Sequence, residues 1–353
     1  MYSLLSIQFI KYITVRFGLS VITSFILMLL IMPKSIKYLK QKHQEGQPIR
    51  NDGPDTHLEK KGTPTMGGIY IIFSIICSTL LWANLKEPKI WIVLSTLITF
   101  CIIGYFDDFA KLTKKSSKGI KGKYKFFLEI LISFILIFIS YKISGSNKFY
   151  YLQVPVFKNL YIYLGVFYFL FGAFVVTGSS NAVNLTDGLD GLVSMPVFLT
   201  ATSFAIICYF VGHTEYSHYL HVEYIKGTEE LTIICGAIMG ACLGFLWFNA
   251  KPAEIFMGDT GSLSLGGTIG MIAILSKHEL ILFIVGFIFV IEALSVILQV
   301  GSYKLRNKKR IFLMAPIHHH FEKKGLSETK VVIRFWITSF IFTMLGLALV
   351  KLK

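Results

Sequence analysis

Apolar residues in this chain gather into long runs divided by short polar breaks. A helix that crosses a bilayer needs about 20 mostly apolar residues. Ten runs reach that length, centred near Ile26, Ile76, Leu97, Ile135, Phe169, Phe204, Met239, Met271, Val290 and Phe342. The runs after Gly258 and around Leu280 are the hardest to separate. The pattern predicts an all-α fold, a polytopic integral membrane protein with about ten transmembrane helices, forming one domain over residues 1–353. No internal repeat, low-complexity tract or linker breaks the series.

Composition agrees: 54% of residues are hydrophobic and the mean hydropathy is +0.63, too apolar for a soluble domain of this length. Charge then sets the orientation, because Lys and Arg are retained on the cytoplasmic side. The odd-numbered breaks hold 23 of the 35 Lys and Arg residues, the termini and even breaks hold 11, and Arg334 is the remainder. The odd breaks are therefore expected in the cytoplasm and both termini outside. Most of the net charge of +15 is this topology signal, so the bilayer is the expected partner and nucleic acid is not. The first run lacks a basic start and a small-residue cleavage site and is read as retained. Cys77, Cys101, Cys208, Cys235 and Cys242 lie inside apolar runs without a CxxC pair, so they read as small core residues and not as a disulfide framework.

All seven aspartates, Asp52, Asp55, Asp107, Asp108, Asp187, Asp190 and Asp259, fall in the odd breaks. The carboxylates are gathered on the cytoplasmic face, where an active site is expected. Asp107 and Asp108 follow the third run and stand at the negative pole of its helix, where carboxylates are disfavoured by up to about 1 kcal/mol. They need a compensating cation, from Lys111, Lys114 or a metal, and adjacent helical positions point about 100° apart, which gives the two acids separate roles. The bland alternative is an exposed pair of loop acids. Asp259, in Met257-Gly258-Asp259-Thr260-Gly261, suits a helix N-cap and a metal or phosphate ligand equally well.

The break Asn181 to Gly191 (NAVNLTDGLDG) places an amide or acid at every third position: Asn181, Asn184, Asp187 and Asp190. On a helix each such step drifts by about 60°, so convergence requires Gly188 and Gly191 to break or tighten the turn. Amides and acids together can read the donors and acceptors of a nucleobase or sugar. In Ala315 to Glu322 (APIHHHFE), the adjacent imidazoles of His318, His319 and His320 cannot share one helical face. One or two would reach a ligand while the others pack or cap, and zinc is disfavoured by the spacing and the lack of a nearby cysteine. Lys111, Lys114, Lys115, Lys118, Lys121, Lys123 and Lys125 form a cationic strip suited to topology and anionic headgroups, with specific roles open to one or two. Glu292, Ser295 and Gln299 make a polar stripe in the ninth run, read as helix packing. His213, His218 and His221 read as solvated surface.

Carboxylates for Mg²⁺, lysines for phosphates, an amide and acid cluster and adjacent lipid suit transfer of a phosphorylated group onto a lipid. The motifs Asn51 to Pro54 (NDGP), Lys60 to Gly68 (KKGTPTMGG), Gly104 to Asp108 (GYFDD), NAVNLTDGLDG, Asn249 to Gly261 (NAKPAEIFMGDTG) and APIHHHFE closely resemble the phospho-N-acetylmuramoyl-pentapeptide-transferases. These belong to the polyprenyl-phosphate N-acetylhexosamine-1-phosphate transferases. The TPTMGG and APIHHHFE strings resemble that branch rather than a sister transferase using UDP-N-acetylglucosamine. A transporter, the rival of a different class, would place its charges near the bilayer midplane. The resemblance implies that UDP-N-acetylmuramoyl-pentapeptide and undecaprenyl phosphate react to give lipid I and UMP in a bacterial inner membrane, with a homodimer as the unit. It implies Asp259 as Mg²⁺ ligand, Asp107 acting on the lipid phosphate and Asp108 supporting substrate or metal. Lys60, Thr65, Asn181, Asn184, Asp187, Asp190, Asn249 and Phe256 would surround the nucleotide sugar and metal, where Phe256 could stack on uracil. The histidines and Lys111 or Lys125 would hold phosphates.

Overall fold

The computed structural model describes residues 11–42, 62–114, 119–145, 147–155, 157, 160–306 and 308–351. Within them the helices are α1 (Ile13–Lys42), α2 (Gly68–Trp82), α3 (Pro88–Thr113), α4 (Gly122–Ser144), α5 (Phe167–Thr186), α6 (Ser194–Val211), α7 (Thr214–Tyr219), α8 (Leu231–Asn249), α9 (Gly258–Ser276), α10 (Glu279–Val285), α11 (Phe287–Leu305), α12 (Ile317–Lys323) and α13 (Glu328–Lys351). Seven helical stretches, in α1, α3, α4, α6, α8, α11 and α13, are long and apolar enough to cross a membrane, and α2 is a shorter apolar helix. The protein is a helical, multi-pass membrane protein. Each of the ten run centres falls in a helix of 15 residues or more. The two such helices outside the apolar set, α5 and α9, carry polar ends, SSNAVNLT and GDTGSLS, which dilute their hydropathy.

Three features depart from the run pattern. The stretch around Leu280 and Val290 is split at Gly286 into α10 and α11. Two short helices, α7 and α12, sit in breaks. A two-stranded antiparallel hairpin, β1 (Tyr151–Gln153) and β2 (Tyr161–Tyr163), pairs Leu152 with Ile162 between α4 and α5. Its alternating aromatic and aliphatic residues favour a strand, and at three residues each strand is hidden inside the flanking apolar runs.

α9 lies at the centre, with every residue buried except Asp259, packed against α3 and α5. Close packing of membrane helices depends on small residues that let backbones approach. A methyl group on Gly104 of α3 would lie 2.6 Å from Thr260 Cα, and one on Gly266 would lie 2.7 Å from Ser180 Cα of α5. The same device joins α8 to α1, where Gly236, Gly240 and Gly244 repeat every fourth residue against Phe17, Val21, Phe25 and Met28. At the end of the bundle away from Asp259, Arg16 of α1 is buried and grips Glu230 at 2.6 and 2.8 Å and Trp82 O at 3.1 Å, tying α1 to α2 and to the start of α8. The five cysteines are free, and Cys208, Cys235 and Cys242 are buried.

Candidate active site

The C-terminal turns of α3 meet the N-terminus of α9, and this junction resolves the problem of two acids at a negative helix pole. Both acids are buried. Asp108 accepts from Asp259 N at 3.2 Å, Thr260 N at 2.9 Å and Thr260 Oγ1 at 2.7 Å, so its carboxylate sits on the positive pole of α9. No side chain of α9's own N-terminal segment caps it. Asp108 therefore caps a helix that is not its own. Gly258 makes the approach possible: its φ is +76°, and a methyl group there would lie 2.6 Å from Asp108 Oδ2 and 3.0 Å from Thr65 Oγ1. Thr65 is held in place by a backbone zipper in which Phe256 N donates to Pro64 O, Gly67 N to Phe256 O and Gly68 N to Met257 O, at 2.8 to 2.9 Å.

Asp107 points elsewhere. Its Oδ1 accepts from Ile120 N at 2.7 Å and its Oδ2 pairs with Lys111 at 2.7 Å. The Lys111 ammonium also reaches Asp259 Oδ1 at 2.9 Å and stands 3.7 Å from Asp108 Oδ1. Lys125, in the first turn of α4, pairs with Asp259 Oδ2 at 2.7 Å and stands 3.9 Å from Asp107 Oδ2. Lys111 and the α9 N-terminus thus supply the compensation, while Lys114 forms the exposed C-cap of α3.

One oxygen from each of Asp107, Asp108 and Asp259 lies within 4.8 Å of the others. Octahedral Mg²⁺ holds oxygens at about 2.0–2.1 Å, which places its ligands roughly 3 to 4 Å apart. The three carboxylates fit such an ion after small side-chain movements. The hard-oxygen donor set suits Mg²⁺, and the lysine ammoniums already bridge these acids as a cation would.

The amide and acid series starts on α5 and leaves it. Asn184 Nδ2 donates to Ser262 Oγ at 2.9 Å, joining the series to α9. Asn181 donates to Thr177 O at 2.9 Å and to Glu129 Oε2. Glu129 was not singled out from sequence. It is a fully buried acid of α4 one turn beyond Lys125, and its i, i+4 offset from that lysine was the available signal. Asp187 is the C-cap of α5; burial first, and then the charges of Asp259 and Asp108, push its carboxyl up to about 7. Asp190 Oδ2 accepts from Ala253 N at 3.2 Å, and its backbone N donates to Glu328 Oε1 at 3.0 Å. Asn249 buckles two loops, accepting from Gly191 N at 3.0 Å and donating to Ile255 O at 2.8 Å. Gly191, with φ +74°, makes the turn, whereas Gly188 leaves room for a neighbouring imidazole. Phe256 is half-buried beside the zipper. Lys60, Asp52 and Asp55 lie outside the described residues.

The three histidines diverge around α12. His318 is fully buried, with Nδ1 3.0 Å from Glu292 Oε1. His319 Nδ1 lies 2.8 Å from Glu322 Oε2. His320 Nδ1 accepts from Leu313 N at 3.1 Å, and the ring stands edge-on to Phe312. Structure also alters the reading of the α11 stripe: besides Glu292, Gln299 bonds the backbone of Ile311 and Phe312 at 3.0 to 3.1 Å, so the stripe holds a loop as well as packing helices.

Comparison with known proteins decides the family. The profile described as Glycosyl transferase family 4 matches residues 90–277. Residues 60–72 match phospho-N-acetylmuramoyl-pentapeptide-transferase signature 1. A protein named phospho-N-acetylmuramoyl-pentapeptide-transferase from Rickettsia akari (strain Hartford) is 56% identical over 342 residues, covering 97% of this chain and 94% of the relative. Proteins of the same name from Rickettsia bellii (strain OSU 85-389) and Rickettsia prowazekii (strain Madrid E) are 55% and 54% identical at the same coverage. The chain belongs to the phospho-N-acetylmuramoyl-pentapeptide-transferase family. The resemblance carried by its loop motifs is borne out, and the protein is a membrane transferase. The signature of this transferase family covers the segment that zips onto Phe256 and Met257, and the profile match spans α3 to the end of α9, enclosing every group of the carboxylate and lysine cluster.

Proposed function

We propose that this enzyme transfers phospho-N-acetylmuramoyl-pentapeptide from UDP-N-acetylmuramoyl-pentapeptide to undecaprenyl phosphate, with Mg²⁺, giving lipid I and UMP. One observation carries the reading: Lys125, which pairs with Asp259 in the carboxylate and lysine cluster, also lines an apolar cleft. The cleft lies between α3 and α4, has a volume of about 610 Å³, and is walled by residues such as Ile102, Phe106, Phe109 and Leu128, with Lys125 as the only charged lining residue among the described residues. An acceptor with a phosphate head and a hydrocarbon tail suits that geometry.

An oxygen of the lipid phosphate would attack the sugar-linked phosphorus of the nucleotide. A new P–O bond forms, the P–O bond to UMP breaks, and the leaving UMP carries away the electron pair. One anhydride is exchanged for another, so ATP is not needed. A phosphate monoester has a second pKa of about 6 and is mostly dianionic at neutral pH, so no general base is required. Both oxygens of Asp107 are engaged, with Ile120 N and Lys111, which favours a role in positioning the lipid phosphate through Lys111 over covalent attack. Mg²⁺ held by Asp259 with Asp107 and Asp108 would neutralise charge on the diphosphate as it develops. Lys125 and Lys111 add fixed positive charge beside it. Asn181, Asn184 and Asp187, with Phe256 and Thr65, would orient the nucleotide sugar. Asp190 and Asn249 would act by holding the loops that carry these groups.

The reading includes ten membrane crossings, both termini outside and the carboxylate cluster on the cytoplasmic face; the Lys and Arg distribution and the ten long helices support it. Placement in a bacterial inner membrane and assembly as a homodimer rest on the family. The test is UMP release from UDP-N-acetylmuramoyl-pentapeptide by purified protein, with and without undecaprenyl phosphate and Mg²⁺, comparing Asp259→Asn. Dependence on all three supports the reading. Turnover with UDP-N-acetylglucosamine instead assigns the chain to the sister chemistry, and no UMP from folded protein removes the proposal.

A further inference from the structure

A carboxylate inside a membrane-spanning helix is costly, and those that persist face other protein groups and serve function. Glu292 of α11 is such a residue, with no exposed surface. Its Oε1 meets His318 Nδ1 at 3.0 Å, and His318 has no exposed surface either. Glu292 Oε2 has no hydrogen-bond partner among the described residues. Packing alone does not account for the pair, because replacing a buried ionic pair with apolar residues of similar volume is often neutral or stabilising. The Glu292 carboxylate instead selects one geometry for the imidazole: Nδ1–H donates to it, and Nε2 is left on the opposite side of the ring.

That opposite side is informative. His318 Nε2 is buried and without a hydrogen-bond partner among the described residues, and the ring lies against Gly188. A methyl group on residue 188 would be 2.7 Å from His318 Cε1 and closer still to Nε2. Gly188 sits between Asp187 and Asp190, in the turn that follows Asn184. An unsatisfied ring nitrogen is therefore aimed at the turn proposed to read the nucleotide sugar. Two further polar groups of α11 brace the chain that leads to α12: Gln299 holds Ile311 and Phe312, and Ser302 Oγ donates to Lys309 O at 2.9 Å. α11 thus fixes both the ring of His318 and the chain leading to it.

We infer that Glu292 is a positioning residue for the transferase reaction, holding His318 so that its Nε2 side backs the Asp187–Asp190 turn proposed to read the nucleotide-sugar substrate. The inference rests on the proposed function for the identity of that substrate. Glu292 itself acts only through His318, and this predicts non-additivity. Removing the outer partner of a metal-ligating histidine typically costs 10- to 100-fold, and a loss of the same order is expected here.

The experiment is a double-mutant cycle on the full-length enzyme with Glu292→Leu, Glu292→Gln, His318→Gln and the Glu292→Leu/His318→Gln double variant. Steady-state UMP release is measured against each substrate in turn, together with ¹⁵N-histidine spectra of the ring nitrogens. Glu292→Leu should lower kcat/KM for UDP-N-acetylmuramoyl-pentapeptide by about 50-fold, while KM for undecaprenyl phosphate stays within about 2-fold. Glu292→Gln, which keeps an oxygen acceptor for Nδ1–H, should recover most of that loss. In the His318→Gln background, Glu292→Leu should cost less than about 2-fold, because the group it acts through is gone. In the spectra, the Nδ1–H signal assigned by its loss in His318→Gln should persist in wild type and Glu292→Gln and vanish in Glu292→Leu.

Equal losses from Glu292→Leu in both backgrounds, or equal rises in both KM values, would overturn the inference. A Glu292→Leu protein that fails to fold leaves the Glu292→Gln rates and spectra to decide: an Nδ1–H signal lost in Glu292→Gln, with no selective change for the nucleotide sugar, also overturns it. A wild type that keeps the Nδ1–H signal but releases no UMP removes the proposed function, and with it the substrate assignment, while a wild type that turns over normally with an additive cycle removes the Glu292 role alone.

Discussion

Asp108 carries two loads at once, and replacing it with Asn separates them. Its carboxylate accepts three hydrogen bonds from the first turn of α9, two at Oδ2 and one at Oδ1. An Asn oxygen in the Oδ2 position keeps the two Thr260 bonds but converts them from charge-assisted to neutral, a loss of about 1 kcal/mol each. Its NH₂ group would face the N–H of Asp259, forfeiting the third bond, and the interaction with the helix pole falls by a further 0.3 to 1 kcal/mol, roughly. Relief of a buried charge offsets part of this. The net expectation is a destabilisation of about 2 kcal/mol. Dividing by an unfolding entropy of about 2.1 cal/mol/K per residue gives a fall in melting temperature of roughly 3 °C. Buried Cys208, Cys235 and Cys242 provide the assay, since a thiol-reactive dye reports their exposure as detergent-solubilised protein is heated. Activity should fall further than stability, by about 100-fold at a temperature where the variant is folded, because Asp259 is placed by the turn that Asp108 holds. An Asp108→Asn variant that melts with wild type would refute the capping argument, whatever its activity.

Gly104→Ala places a methyl group 2.6 Å from Thr260 Cα, so α3 and α9 must separate; a loss of about 1–3 kcal/mol in thermal unfolding and a fall in kcat are expected, and an unchanged protein would show that this contact is slack. Mg²⁺ should raise the melting temperature of wild type in proportion to RT ln(1 + [Mg²⁺]/Kd), and Asp259→Asn should abolish that rise, measured after chelation and stepwise readdition. Asp187 is raised from 3.8 to about 7, so its contribution to stability is whole below about pH 4 and is lost as pH rises through about 7. In metal-free protein, Asp187→Asn should flatten the decline in melting temperature between pH 5 and 8, roughly, and a decline as steep as in wild type would reject that assignment.

The sequence by itself determined the helical membrane class, the ten long helices and the gathering of acids into one set of breaks, because apolar run length and the placement of charge are local properties that the bilayer reads directly. It also determined the family, through motifs whose residue identities need no coordinates. Pairing was decided only by tertiary structure. Asp107 and Asp108 are adjacent in the chain, yet one faces Lys111 and Ile120 and the other caps α9, 151 residues further on. The stripe on α11 read as helix packing from its period, and only the fold shows Glu292 meeting His318 across 26 residues. Glu129 stayed hidden because a single acid in an apolar run gives no hint of the amide it faces, and the β1–β2 hairpin because three residues are too few to interrupt a hydrophobic run. Hydrophobic periodicity records which side of an element is buried, but which partner fills that side depends on non-local approach, and here small residues such as Gly104, Gly258 and Gly266 control it.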